Sequence, residues 1–242
     1  MFKSILFFLL VSAFSTGIMA QSIDDIKDLA GKNQWDKAKE AVDKHLSNEK
    51  NSKKGDGWYW KAVIYNAISR DENLGKKNPD ARTEAFNSYK KYLELDPKMT
   101  MGILSQHAAL FDVCFGYLEE ASKGFNNKEY EQALTQFKNA EKIQDFIVSK
   151  GFTYGDFTFP VFDTQLYLNI AASATQAKKE DLALEYYMKI ADKKIVEQSY
   201  DEIYRFIVDR LIRKRDKKKI LKNIQLLEKN YFLRIHSGVM LL

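Results

Sequence analysis

Side chains do chemistry when proton carriers, nucleophiles or metal ligands recur at a workable spacing. This chain has three histidines, His45, His107 and His236, and a single cysteine, Cys114. No histidine belongs to an H-E-x-x-H pair or another spaced ligand set. There is no G-x-S-x-G elbow, no G-x-x-x-x-G-K-[ST] loop and no G-x-G-x-x-G fingerprint. Cys114 lies in the apolar stretch "FDVCFGY", with no close cation to lower its pKa, and reads as a small buried hydrophobe. His45 stands where an apolar residue recurs elsewhere in the chain, which predicts a partly buried helix position. Carboxylates abound, but in "KNAEKIQD" and similar stretches they alternate with lysines, the pattern of a solvated helix face. The reading is a non-enzyme with no cofactor and no metal site.

Two stretches have a sharper binding chemistry. "RLIRKRDKKKILK", residues 210–222, carries eight Lys/Arg and one Asp. Such a run suits an anion, and an acidic polymer would meet Arg213, Lys214, Arg215, Lys217 and Lys218. Its Leu211, Ile212, Ile220 and Leu221 keep helical spacing around "RKRDKK", so a solvated turn between helices is the favoured reading. "GFTYGDFTFPVFDT", residues 151–164, holds Phe152, Tyr154, Phe157, Phe159 and Phe162 between two glycines and a proline. Alternation puts Phe152 with Tyr154 on one side of an extended segment, and Phe157 with Phe159 on one side again after Gly155. These rings either seal a joint between helices or line a groove. In a groove, Tyr154 and Phe157 are the contacts, because they flank the flexible Gly155-Asp156 pair. Asp163 and Thr164 are N-cap candidates for the helix that follows.

The ends and the composition bound the setting. "MFKSILFFLLVSAFSTGIMA" has a positive charge at Lys3, an apolar run from Ile5 to Phe14, and a small residue at Ala20. That order predicts a signal peptide over 1–20, cleaved after Ala20, and a periplasmic or secreted protein. The run is too short for a bilayer, which needs roughly twenty residues, so no stable membrane insertion is expected after cleavage. One cysteine allows no internal disulfide, and the fold must rest on burial. With Gly 11 and Pro 3 in 242 residues, the composition suits helices on short connections. The formal charge of +5 becomes +4 without Lys3; the run 210–222 supplies +7, leaving about −3 elsewhere. Export also argues against a nucleic-acid partner.

The elements that must position these groups show an internal repeat. In "NKEYEQALTQFKNAEKI", Ala133, Phe137 and Ala140 fall on one helix face, joined by Tyr130. The pattern returns with Trp35, Ala38 and Val42; with Ala85, Tyr89 and Tyr92; with Ala183, Tyr187 and Ile190; and, without the small residue, with Ile220, Ile224 and Leu227. All but the first of these helices follow one with its own apolar face: "WYWKAVIYNAI", "FGYLEEASKGF", "LYLNIAASATQA" and "IYRFIVDRLIRK". Small residues let two helices approach, and aromatics fill the gap to the next pair. No pair buries its face alone, so the pairs must stack.

On these residues the chain resembles the tetratricopeptide repeat (TPR) family, most clearly over 115–143 and 165–191 and in the helix end "AFNSYKKYLELDP". The resemblance spans most of residues 22–231. It implies an all-α fold, a right-handed superhelical solenoid of about five antiparallel helix hairpins. It further implies an adaptor whose concave groove, lined by the first helix of each hairpin, takes a protein or peptide segment. On that basis Tyr65, Asn66, Asn169 and Ser173 are inner-face candidates. The anchor positions 38, 85, 133, 183 and 220 are spaced 47, 48, 50 and 37, against a family period of about 34. This predicts longer connections, one being an exposed loop over 69–82 and another the region 144–163. The repeat domain is expected over 21–232. Residues 233–242 form an atypical apolar tail: a docked arm, a contact with another chain, or an altered end. The alternative function is a binding protein or enzyme for an acidic polymer such as a cell-wall glycan. In that case the basic run and the aromatic stretch would face one cleft.

Overall fold

The structure, a computed structural model, describes residues 22–194, 201–213 and 222–225. The chain starts with a hairpin of α1 (Ile23–Gly31) and α2 (Trp35–Leu46). Ser22 opens α1 with a capping box: its Oγ accepts from the Asp25 amide at 3.1 Å, and the Asp25 carboxylate accepts from the Ser22 amide at 3.2 Å. A short α3 (Glu49–Ser52) leads to α4 (Gly55–Arg70). After α5 (Glu72–Lys77), α6 (Ala81–Leu95) packs back along α4. A short α7 (Thr100–Leu104) then precedes the long pair α8 (Ala108–Asn126) and α9 (Tyr130–Lys150). Then come α10 (Thr164–Gln176), α11 (Glu180–Ala191) and α12 (Asp201–Arg213), and residues 222–225 are again helical.

The packing is that of a solenoid. The tightest pairs are α4 with α6, α8 with α9, and α10 with α11; successive pairs join through α2–α4, α4–α8, α9–α10 and α11–α12. Each hairpin contacts its neighbours, which is why no single hairpin need be stable alone. Among the described residues, the backbone pairing outside helices is an isolated bridge between Tyr154 and Phe157.

Three hairpin turns are copies of one another. Asn33, Lys128 and Lys178 hold φ of 55°, 66° and 59°. In each, the amide of the next residue reaches the carbonyl five back: Gln34 to Leu29, Glu129 to Gly124, Lys179 to Ala174, at 2.8–3.0 Å. This ties off the orphan carbonyls of the first helix. Five residues after each left-handed residue sits Ala38, Ala133 or Ala183, all fully buried. The repeat is thus set by turn geometry together with a small residue at the closest helix approach. Ala85 plays the same part in α6, but its turn is replaced by an insertion.

That insertion corrects one expectation. The segment 69–82 is not simply an exposed loop: it contains α5, capped by Asp71, and ends in buried Ala81 and Arg82. Asp71 Oδ1 accepts from the amides of Asn73 and Leu74, and this local capping stabilises a short helix amid polar residues. A second correction concerns 144–163. Its first third is helix, because α9 runs to Lys150 and buries Ile143, Gln144 and Ile147. The long spacing between anchors therefore comes largely from helix length, and the connector proper is 151–163.

Candidate functional site

The aromatic connector is built on a glycine at each bend. Gly151, at φ 65°, ends α9, and Phe152 N–H still reaches the Ile147 carbonyl at 3.2 Å. Tyr154 and Phe157 then exchange backbone hydrogen bonds at 3.0 Å in both directions across Gly155-Asp156. Gly155 has φ 57°, the positive value that a glycine adopts freely in such a turn. Its N–H donates to Gln106 Oε1 at 3.0 Å, pinning the turn to the segment before α8.

The tight turn, rather than an extended strand, decides where the rings go, and this overturns the expected pairings of Phe152 with Tyr154 and of Phe157 with Phe159. Phe152 and Phe159 point inward and are buried. Phe152 stacks on the His107 ring at 3.8 Å between centroids, and Phe159 stacks on Phe111 at 5.6 Å. Tyr154 and Phe157 lie above them against Phe111, at 5.9 and 6.0 Å, and stay 46% and 42% exposed. Phe157 also meets Phe115 of α8 at 5.6 Å. The connector therefore does two things at once: Phe152 and Phe159 seal the fold, Tyr154 and Phe157 remain on the surface, and Phe162 lies half-buried against Tyr167 of α10. Seven large apolar side chains are well exposed among the described residues. Six of them, Ile103, Leu104, Phe115, Tyr154, Phe157 and Val161, lie on this connector, on α7 that precedes Gln106, or on α8 beneath the turn.

Beside this face a cleft of about 470 Å³ opens between α4 and α8. Val63, Ala67, Ala108 and Ala109 contribute its aliphatic surface, and Phe111, Phe115 and Tyr154 its aromatic surface. Asn66, Arg70 and Asp112 supply the polar lining. Asn66 Nδ2 donates to Asp112 Oδ2 at 2.6 Å, and an Arg70 guanidinium N–H donates to Asp112 Oδ1 at 2.8 Å. Arg70 also borders a second, polar cleft of about 600 Å³ running toward α5 and the start of α9.

His107 is the hinge of this arrangement. It takes a left-handed backbone, φ 56°, just after Gln106 at 50°, and its ring is buried. Its Nδ1 lies 2.8 Å from the Tyr89 hydroxyl. Burial alone holds the imidazole below its usual pKa. Cys114 is buried, and burial, with the Asp163 charge beside it, pushes its thiol up to about 12. His45 is buried on α2, its ring 3.4 Å from the Asn51 amide. Among the described residues no group of three or more His, Cys, Asp or Glu is placed to hold a metal.

Of the residues singled out from sequence, Asn66 and Tyr154 line one cleft, and Phe157 flanks it through Phe115 and Phe111. Tyr65 and Ser173 are corrected. Tyr65 is buried on the side of α4 that faces α2, where its hydroxyl donates to Asp43 Oδ2 at 2.6 Å under Lys61. Ser173 has no exposed surface at all, on the same interior face of α10 as Ile170 and Ala174. Both occupy first helices, as the resemblance implied, but with their side chains buried. Asn169 is half-buried on α10 and accepts from Gln165 at 3.0 Å. Arg213 is exposed on α12, beside Asp209 at 3.2 Å. Lys214, Arg215, Lys217 and Lys218 lie outside the described residues, as do His236, the signal segment and the tail 233–242. α12 packs on α11 whereas the aromatic turn packs on α8, so Arg213 does not share the aromatic cleft. Sequence reading missed Arg70, Gln106, Phe111, Asp112 and Phe115. The i, i+4 pairs Asn66/Arg70 and Phe111/Phe115 were a usable signal for two faces meeting.

No family model matches the chain, and no curated protein does. Among solved structures, one from a functional characterization of Pseudomonas aeruginosa pilF is similar at 16% identity, over 86% of this chain and 74% of that one, with a TM-score of 0.33. A likeness at that level bears on neither partner nor activity. Among the described residues no helix is long and apolar enough to cross a membrane.

Proposed function

We propose that this chain is a non-catalytic TPR-like scaffold that holds a segment of a partner protein in the α4–α8 cleft, with Tyr154 and Phe157 as contact rings. It acts after export, in the periplasm or beyond, following cleavage after Ala20. The observation that carries the reading is that three of the seven large apolar side chains exposed among the described residues, Phe115, Tyr154 and Phe157, come together at that cleft, two lining it and Phe157 packed on Phe115 at 5.6 Å. A lone exposed leucine means nothing, but such a gathering on a folded surface marks a contact site. Tyrosine and phenylalanine are apt contacts, since they bury large area at little conformational cost. Asn66 and Arg70 at the polar lining would orient the segment.

The test is crosslinking in the native cell envelope, then capture of the chain and mass spectrometry. A reproducible protein partner should appear with the wild type. It should be lost when Tyr154→Ala and Phe157→Ala are combined in a chain whose circular dichroism is unchanged. Recovery instead of an acidic glycan or lipid that salt removes, with no protein partner, overturns the reading in favour of the basic run.

A further inference from the structure

The polar cleft that continues from Arg70 carries information about the charge of the segment. Across the two clefts, three cations, Arg70, Lys76 and Lys123, face five carboxylates, in a chain whose formal net charge is +5. The cations are already engaged. Arg70 binds Asp112 at 2.8 Å, Lys76 binds Glu72 at 3.0 Å, and Lys123 binds Glu119 at 2.8 Å. Glu120 is held at 2.7 Å by Arg82, whose own side chain is buried. Two carboxylates are left without an ion pair among the described residues: Asp71, which caps α5 through one oxygen, and Glu129, at the start of α9. Among the described residues that line the two clefts, an anionic segment would meet two uncompensated like charges and no unpaired cation.

We infer that the occupant is an extended peptide segment with an apolar or aromatic anchor and a lysine or arginine beside it. The anchor enters the cleft between α4 and α8 against Phe115 and Tyr154, and the cation lies in the polar half near Asp71 and Glu129. This rests on the cleft being the partner site. Charge at such a rim selects the partner and speeds encounter more than it adds affinity.

The experiment uses the purified protein and three fluorescein-labelled peptides that share a Phe-Leu core and differ in their flanks, which are Lys, Gln or Glu. Fluorescence anisotropy should rank them Lys, Gln, Glu, with the Lys peptide about fivefold tighter than the Gln peptide, as two exposed charge pairs would give. The gap should close as salt rises. It should also close in the double variant Asp71→Asn, Glu129→Gln; asparagine keeps the cap of α5. If all three peptides bind alike, or the Glu peptide binds best, and Tyr154→Ala with Phe157→Ala abolishes binding, the charge inference falls while the cleft remains the site. If no peptide binds, or binding ignores Tyr154 and Phe157, the cleft reading itself falls and this inference with it. The same holds if the protein adsorbs to phosphatidylglycerol vesicles through those two rings and takes none of the peptides.

Discussion

His107 holds the aromatic connector in place and is also its weak point in acid. Its ring touches Tyr89 and Phe152, and burial is the cause of its lowered pKa, with no neighbouring carboxylate to offset it. The native state thus favours the neutral imidazole. Below the ordinary value of 6.5 the unfolded chain takes up a proton that the folded chain refuses. Stability is therefore full above that value and falls as pH drops from it through the lower folded pKa, then levels off. Urea midpoints between about pH 7 and 5 should show this fall in the wild type. In His107→Asn the histidine share of it should vanish, asparagine being tolerant of the left-handed backbone. A slope that persists unchanged in the variant would assign the acid sensitivity to other groups. Cys114 gives a second residue-level prediction. With its thiol pushed to about 12 and its side chain buried, it should not react with a thiol reagent at neutral pH unless the protein is unfolded. Rapid reaction in the native state would mean that the α8–α9 joint opens. The burial of Cys114 and His45 could be read from their apolar helical settings alone. The part played by His107 could not. It depends on two left-handed residues in succession and on a ring 45 positions away in sequence, Phe152, reached only after the connector turns back.

Elements here are specified by two signals of different reach. Helix faces and their anchors repeat along the chain, so the hairpins were legible from periodicity, and Ala38, Ala85, Ala133 and Ala183 all prove fully buried. Ala133 lies against Gly124 of α8, where a Cβ would stand in ordinary contact, 3.5 Å from the Ala133 nitrogen and 3.6 Å from its Cα. Ala133→Leu should accordingly cost about 1–3 kcal/mol through overpacking, read as a lower urea midpoint with helix content retained. A variant as stable as the wild type would mean that the pair tolerates a wider separation. The connectors were less legible, because turns depend on single backbone angles and on partners remote in sequence. Nothing local to "TYGDF" announces that Gln106 will receive the Gly155 amide. The turn itself is open to test by Gly155→Ala. There is room for the methyl group, the nearest atom being 3.9 Å away, so any penalty comes from φ 57° alone. A left-handed residue with a Cβ costs about 1–2 kcal/mol. Since the helices do not depend on this turn, far-UV circular dichroism should be unchanged. The Tyr154 and Phe157 amides should lose protection from exchange, and partner capture should weaken. Intact protection of those amides would show that the alanine is accommodated without strain.

At the scale of the molecule, burial is unevenly shared along the solenoid. The largest continuous core takes side chains from α1 through α9 and closes on Phe152 and Phe159 of the connector. A second joins α8 and α9 to α10 and α11. The third, between α11 and α12 with Ile203, Tyr204, Ile207 and Leu211, is small. In a repeat array stability is close to a sum over hairpins and their interfaces, so a segment with one interface opens before a segment with two. Among the described residues α12 packs mainly on α11, with Leu168 of α10 against the same small core, whereas α8 packs on α4, α6 and α9. The aromatic connector belongs to the large core through its inward rings, so the proposed partner face should keep its shape when the far end loosens. Native-state hydrogen exchange separates the alternatives. Amides of α12 should exchange at least about tenfold faster than those of α8 and α9, the factor expected for a stability difference of about 1.4 kcal/mol. The Tyr154 and Phe157 amides should follow α8 rather than α12. Uniform protection from α1 to α12 would instead mean that the array unfolds as one cooperative unit, so that a mutation in α12 would reach the cleft.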